Sequence, residues 1–387
     1  AIIAEAEQQI GFVDPEPQAQ RNLERLVEAL GETGRLSPEG EAISHRNFVS
    51  DTANRLEGLK WYEAHPEIED EAIEAPVFLT GLPRSGTTYF QYLFDRDRRF
   101  RLMRTWEALA PSPPPGTDAA SAEKRKREWA EKRAREHPSF EGFDALHLID
   151  RDGSEECHAF LQQTFGAAGL NNLFRVPDFF DYLLDEADLD YSYRAHKRQL
   201  QLLQWKQEAK PWAVKYPNHV LAMDPIMRVH PDARFVVTHR DPAQTLASIA
   251  KMSFKLRGLR MDGPVDKGEV GRDMLHFIGR HVDRMMEFVT GPQADRVFHV
   301  DYYALVEDPV REIERVHDWL GIGTPDDVAG KMAAWRADNP KNKRGKNDYS
   351  LAEYGLHDGE VIERFAAYRD HFDIPRESDG LARVGAA

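Results

Sequence analysis

The chain has 387 residues, 41% of them hydrophobic and 30% charged, which is ample material for a packed core. Its formal net charge of -15 excludes broad nucleic-acid binding, which needs concentrated Lys and Arg, and no apolar run approaches the roughly 18 residues of a bilayer span. Cys157 is the only cysteine, which excludes an intrachain disulfide and a cysteine-based zinc site and suits a reducing, cytoplasmic setting; the opening residues AIIAEAEQQI do not read as a secretory signal.

Residues 1–74 are predicted to be mainly helical. Leu23, Leu26, Val27 and Leu30 recur at three- and four-residue steps and stop at Gly31, read as a helix C-terminus; residues 48–62 continue the pattern with Leu56, Leu59 and Trp61. This helical extension packs on the core or lines an acceptor pocket, packing being the commoner role for any one residue.

Residues 75–93 then read strand, glycine-bounded loop, helix. Val77, Phe78, Leu79 and Thr80 form a β-prone run, Gly81 to Gly86 bound the loop, Thr87 and Thr88 fall near the helix start, and Tyr89, Phe90, Leu93 and Phe94 recur at helical spacing. Backbone amides in such a loop, added to the positive helix end, suit a phosphate or sulfate. The Gly81–Gly86 spacing is that of the nucleotide-triphosphate loop, yet Thr87 stands where its lysine belongs, and Arg84 places a cation elsewhere. Taken by itself, the stretch also fits a purely structural turn.

After residues 101–110, the prolines of segment 111–115 break the chain direction. Residues 121–137 are predicted to be a charged helix with pairs such as Glu123 with Arg127, read as a solvated face. Farther on, Glu155, Glu156, Cys157 and His158 precede Phe160, Phe165, Phe174, Phe179 and Phe180. That arrangement fits either an acceptor pocket or a helix with a polar start and an aromatic core face, with Cys157 a small buried residue.

From Trp212 the pattern is α/β: strands over 212–215, 234–239 and 297–302, and helices over 220–229, 242–252 and 309–320. This alternation predicts a mostly parallel sheet with right-handed crossovers and ligands beyond the carboxyl ends of its strands. Arg84, Lys215, Arg240 and Tyr302 follow those ends. Asp241-Pro242 caps the next helix, and Ser248 lies eight residues beyond Arg240, two turns in. Arg240 either pairs with a surface carboxylate or, with the glycine loop and a basic tail, holds a second phosphate.

Three separated motifs resemble the sulfotransferases that use 3'-phosphoadenosine 5'-phosphosulfate (PAPS). TGLPRSGTTY at 80–89 resembles the 5'-phosphosulfate loop, FVVTHRDPAQTLAS at 235–248 the 3'-phosphate strand and helix, and residues 300–309 the strand and tyrosine near adenine. NKRGK at 342–346 resembles the late basic segment. The resemblance implies an α/β fold with a P-loop-like central parallel sheet flanked by helices: a helical extension at 1–74 and a PAPS-binding domain at 75–387 with a helical insertion at about 105–210. It implies that Arg84 contacts the phosphosulfate, that the backbone of Ser85, Gly86, Thr87 and Thr88 cradles it, and that Arg240, Ser248, Arg344 and Gly345 hold the 3'-phosphate. Tyr302 would contact adenine, with Tyr303 adjacent. Lys215 opens KYPNH, similar to a K-x-P-x-H segment of bacterial and tyrosyl-protein members, and would meet charge at the bridging oxygen. Glu107, 23 residues beyond Arg84, matches the glutamate base of those enzymes, with His219 and His158 as competitors.

The function so implied moves a sulfuryl group from PAPS, leaving 3'-phosphoadenosine 5'-phosphate (PAP), to a hydroxyl of a small-molecule, lipid or glycan acceptor, without a metal, nucleic acid or integral membrane segment. An ATP-dependent phosphotransferase predicts a lysine at 87 and a magnesium-holding aspartate on a strand. A non-catalytic module that binds adenosine bisphosphate keeps the donor residues without a working base.

Overall fold

The computed structural model describes residues 1–136, 153–339 and 350–385. Helices α1 (Ile2–Ile10), α2 (Pro17–Ala29) and α3 (Pro38–Ala64) build the N-terminal part. Gly31 does not end α2 as a cap. The chain runs instead through a wide helical turn over Leu30–Gly34 and leaves it at Arg35, whose φ is 45°. Ser37 caps α3 by accepting from the Gly40 amide, and Pro38 at the first position suits a missing amide donor. Arg55 on α3 is buried and forks onto Asp14 at 2.8 and 2.5 Å, while its Nε donates to the Gln163 carbonyl at 3.1 Å. That buried pair ties the N-terminal helices to the insertion.

Strand β1 (Val77–Gly81) leads into α4 (Thr87–Phe94), followed by α5 (Thr105–Leu109) and α6 (Ala119–Glu136). The charged helix α6 is more than a solvated face: Arg125 donates to the carbonyls of Ala110 and Pro113, the latter at 2.6 Å, and lies over the Trp106 ring. Next come α7 (His158–Gln162), α8 (Leu170–Leu173), α9 (Pro177–Asp185) and α10 (Leu189–Gln204). Phe160, Phe165, Phe174, Phe179 and Phe180 are buried in the main core, so these aromatics serve packing.

Strand β2 (Ala213–Lys215) is followed by a 3-10 turn over Pro217–Ala222 and only then by α11 (Met223–Val229), a split of the single helix expected over 220–229. Strand β3 (Arg234–His239), α12 (Pro242–Gly258) and α13 (Lys267–Val289) lead to β4 (Val297–Asp301). Tyr302 is not in that strand. Asp301 accepts from the amides of Tyr303 and Ala304 and so starts α14 (Tyr302–Glu307) one residue early. Helices α15 (Pro309–Leu320), α16 (Asp326–Asp338), α17 (Asp358–Arg364), α18 (Ala366–His371) and α19 (Glu377–Arg383) complete the described chain.

The sheet is parallel throughout, in the order β2-β1-β3-β4. Phe78 pairs with Val214 on one side and Phe235 on the other, and Val237 pairs with His299. Side chains alternate between two cores: Phe78, Val214, Phe235 and Val237 face α10 to α13, while Val77, Leu79, Val236 and Val300 face α4, α15 and α16. Burial on both faces explains why β1 and β3 read as continuous apolar runs. Parallel order also sets Gly81, Lys215, His239 and Asp301 along one edge, so the loops leaving that edge form a single site.

Candidate active site

The loop from Gly81 to Gly86 is held in a shape that needs specific residues. Gly81 has φ of 145°, and a Cβ there would lie 2.5 Å from the Thr238 carbonyl oxygen. Gly86, with φ of 95°, is the cap of α4, and a Cβ there would meet the Tyr302 ring at 2.9 Å. Between them Arg84 keeps a left-handed φ of 74°, a conformation costing roughly 1–2 kcal/mol for a residue with a Cβ. The Ser85 hydroxyl faces inward to the Leu82 carbonyl and Thr238 Oγ1, both at 2.6 Å, and its amide also donates to the Leu82 carbonyl at 3.1 Å, so this residue braces the loop. Thr87 is buried at the start of α4.

Lys215 links this loop to the insertion. Its Nζ donates to Thr88 Oγ1 at 2.9 Å and pairs with the Glu156 carboxylate; the Lys215 side chain is 0% exposed and that of Glu156 17%. The neighbouring backbone is pinned from three sides: the Glu155 amide donates to Met103, the Cys157 amide to the Lys215 carbonyl at 2.9 Å, and Gln91 Nε2 donates to the Glu155 carbonyl. Residue 156 is thereby set at the strand end although 59 residues separate it from Lys215. Glu155 accepts from the Glu156 amide at 2.8 Å, and removal from water pushes its carboxyl up to about 7.

Glu107 is buried on α5, and both its oxygens are engaged. One accepts from the Arg104 amide at 2.8 Å as part of a capping box, and the other faces Arg101 Nη2 at 3.1 Å. His219 lies in the core behind β1. Its Nδ1 is 2.8 Å from the Tyr193 hydroxyl, its ring meets Phe78 edge-on, and burial holds its proton affinity well below the ordinary imidazole range. His158 is nearer the site, 3.1 Å from the Tyr216 hydroxyl, and burial likewise lowers its proton affinity.

At the end of β3, Arg84 Nε donates to Ser248 Oγ at 3.1 Å, which joins two residues expected at opposite ends of the donor. Arg240 lies 4.1 Å from the Tyr302 ring centre and donates to the Arg84 carbonyl at 3.0 Å. It also forms the carboxylate pair that its position allowed, with Glu377 of α19. Arg344 and Gly345 lie outside the described residues. Tyr89 faces Trp335 with ring centres 5.9 Å apart, and Tyr92 stacks on the same indole at 5.7 Å. Tyr89 closes the motif at 80–89, so its place was visible; nothing in the local sequence marked Trp335 or Glu377. Among the described residues, no cluster of His, Cys, Asp and Glu is arranged to hold a metal ion, and no helix is long and apolar enough to cross a membrane.

A parallel sheet thus carries a glycine-bounded loop on its first strand, a buried lysine at the end of its second and an arginine just beyond its third, all at one edge. The family model for the sulfotransferase family matches residues 76–326, and the chain belongs to that family. Its relatives include the omega-hydroxy-beta-dihydromenaquinone-9 sulfotransferase Stf3 of Mycobacterium tuberculosis and its Mycobacterium bovis counterpart. Each is 24% identical over 319 residues, covering 78% of this chain and 77% of the relative. The crystal structure of sulfotransferase STF9 from Mycobacterium avium superposes with a TM-score of 0.87 at 26% identity, covering 97% of both chains. That of STF1 from Mycobacterium tuberculosis H37Rv gives 0.79 at 26% identity, covering 95% of this chain and 97% of the other.

Proposed function

We propose that this sulfotransferase takes its sulfuryl group from PAPS and passes it to a hydroxyl of a small-molecule, lipid or glycan acceptor. The contact that carries the reading is Lys215, buried between Thr88 of the loop and the Glu156 carboxylate. It brings a cation, a proton acceptor and the anion loop to one strand end, which is what transfer to a hydroxyl requires. The residues present suit the donor: the loop from Ser85 to Thr88 would cradle its 5' end, Arg240 and Ser248 would hold its 3'-phosphate, and Tyr302 with Tyr89 would meet its base.

When bound, the donor supplies a sulfuryl group on a 5'-phosphate. Glu156 takes the proton of the acceptor hydroxyl as the sulfur–oxygen bond to the acceptor forms and the bond to the phosphate oxygen breaks. Lys215 and Arg84 meet the charge that collects on the leaving phosphate, and the loop amides hold its position throughout. Glu107 is the alternative base. Its capping bond and its pair with Arg101 support a different role, that of fixing segment 101–107 against α7. The relative named for an omega-hydroxy-beta-dihydromenaquinone-9 acceptor places lipid alcohols first among acceptors to try.

The test is transfer from labelled PAPS to a panel of lipid, phenolic and glycan alcohols, together with calorimetry of PAP against ATP. Transfer with tight PAP binding is the expected result. Tight ATP binding without PAP binding would point to a phosphotransferase, and PAP binding without transfer or slow hydrolysis to a non-catalytic module.

A further inference from the structure

Arg240 is occupied in the free protein. Its Nε donates to Glu377 Oε2 at 3.0 Å and its Nη2 to Glu377 Oε1 at 2.5 Å, a parallel two-bond fork. Its Nη1 donates to the Arg84 carbonyl, and Tyr302 covers one face of the guanidinium. The carboxylate is itself held in place: Tyr303 donates to Oε2 at 2.9 Å, and the Glu377 amide donates to Asp241 Oδ2 at 2.9 Å. Both side chains are mostly enclosed, Arg240 at 14% and Glu377 at 16% exposed. One turn along α19, Gly380 lets the helix lie flat on Tyr303, where a Cβ would come within 2.5 Å of the ring.

A carboxylate in this fork presents two oxygens at the spacing and charge that a phosphate presents to the same guanidinium. Two anions cannot share one fork without strong repulsion. We propose that Glu377 is an internal stand-in for the 3'-phosphate: it occupies the Arg240 seat in the free protein, must leave it when the donor binds, and so sets both donor affinity and the preference for nucleotides that carry a 3'-phosphate. The proposal rests on the reading of Arg240 as the 3'-phosphate ligand. The displaced carboxylate keeps Tyr303 as a partner, and α19 is the element that shifts.

The test compares the full chain with E377Q and R240A by calorimetry, using PAP and adenosine 5'-phosphate as probes. E377Q is expected to bind PAP about tenfold more tightly, the factor removed when a seat nine-tenths occupied is freed, and adenosine 5'-phosphate within twofold of the unaltered chain. Weaker PAP binding by E377Q, or an equal change for both nucleotides, would show Glu377 to be a fixed support for Arg240 and overturn the proposal. R240A is expected to lose PAP affinity while keeping that for adenosine 5'-phosphate; unchanged PAP affinity in R240A would overturn the donor reading and this proposal together. Should E377Q fold poorly, hydrogen exchange on the unaltered chain decides. PAP is expected to raise exchange across residues 377–383, adenosine 5'-phosphate is not, and protection of that segment by PAP would sink the idea.

Discussion

The ends of β2 and β3 each place a buried cation against a carboxylate from outside the sheet, yet the two pairs do opposite things. Lys215 meets Glu156 of the insertion while also touching Thr88, which sets its carboxylate beside the loop proposed to hold the transferred group. Arg240 meets Glu377 of α19, and that carboxylate takes the seat proposed above for the donor's 3'-phosphate. A compact ammonium shares its charge among several oxygens, whereas a planar guanidinium offers a two-donor edge that one bidentate anion occupies at a time. On the proposed reading the first carboxylate stays beside its cation while it takes up and releases a proton, and the second must leave its cation for the donor to bind.

The sharpest way to break that contrast is K215M. It removes the cation at the leaving oxygen and is expected to lower single-turnover transfer by about a thousandfold, the upper range for losing one preorganised charge partner, with folding checked by Tm. Next is the pair E156Q and E107Q. Loss of a general base lowers turnover by at least about a hundredfold, and the effect is expected in E156Q with PAP affinity kept. In E107Q the amide oxygen can still accept the capping bond, but the loss of the buried charge facing Arg101 is expected to appear as lower Tm, with turnover reduced less than tenfold; the reverse ranking would return the base to Glu107. G86A bears on both ends at once. A methyl at φ of 95° would press on Tyr302, and PAP affinity is expected to weaken by about tenfold in calorimetry.

Acid is expected to act on the frame beneath both ends. Burial holds the imidazoles of His196, His230 and His281 down to about 3, and pushes those of His219 and His239 well below their ordinary range. Below about pH 6.5 the unfolded chain takes up protons that the folded histidines do not, so their contribution to stability falls with pH. Asp51 and Glu155, raised by burial to about 7, bind protons in the folded state and oppose this over the same range. The depressed histidines outnumber these two carboxyls, so the net change between pH 7.5 and 5.5 is expected to be a loss of stability, measurable by urea unfolding. A gain in stability on acidification would contradict it.

What was legible in the chain follows the range of the forces involved. Strands β1 and β3 and helix α15 were readable because each is bounded by its own residues: an apolar run buried on both faces, or Asp308 accepting from the Arg311 amide ahead of Pro309. Arg84, Lys215, Arg240 and Tyr302 could be placed because a parallel sheet delivers every strand end to one edge. The partners could not. Glu156 and Glu377 reach their cations across 59 and 137 residues, and no local pattern distinguishes such a carboxylate from a solvent-facing one. The same limit explains the phenylalanines around α7 to α9, whose number suited a pocket but whose burial serves the core. The split of α11 from the turn at Pro217 is similarly tertiary, since Thr80 Oγ1 donates to the Pro217 carbonyl and draws the chain toward β1.

Arg84 combines a functional side chain with a backbone shape that glycine would adopt more readily. R84G would lose the bond to Ser248, worth roughly 0.5–1.5 kcal/mol, and release backbone strain of about the same size. The two changes nearly cancel, so the substitution should leave melting behaviour almost untouched. A population of variants sorted only for survival on heating would then retain glycine at position 84 freely, while one sorted for sulfated product would discard it at once. A residue proposed to meet the leaving phosphate is thus one that a screen for folding cannot see.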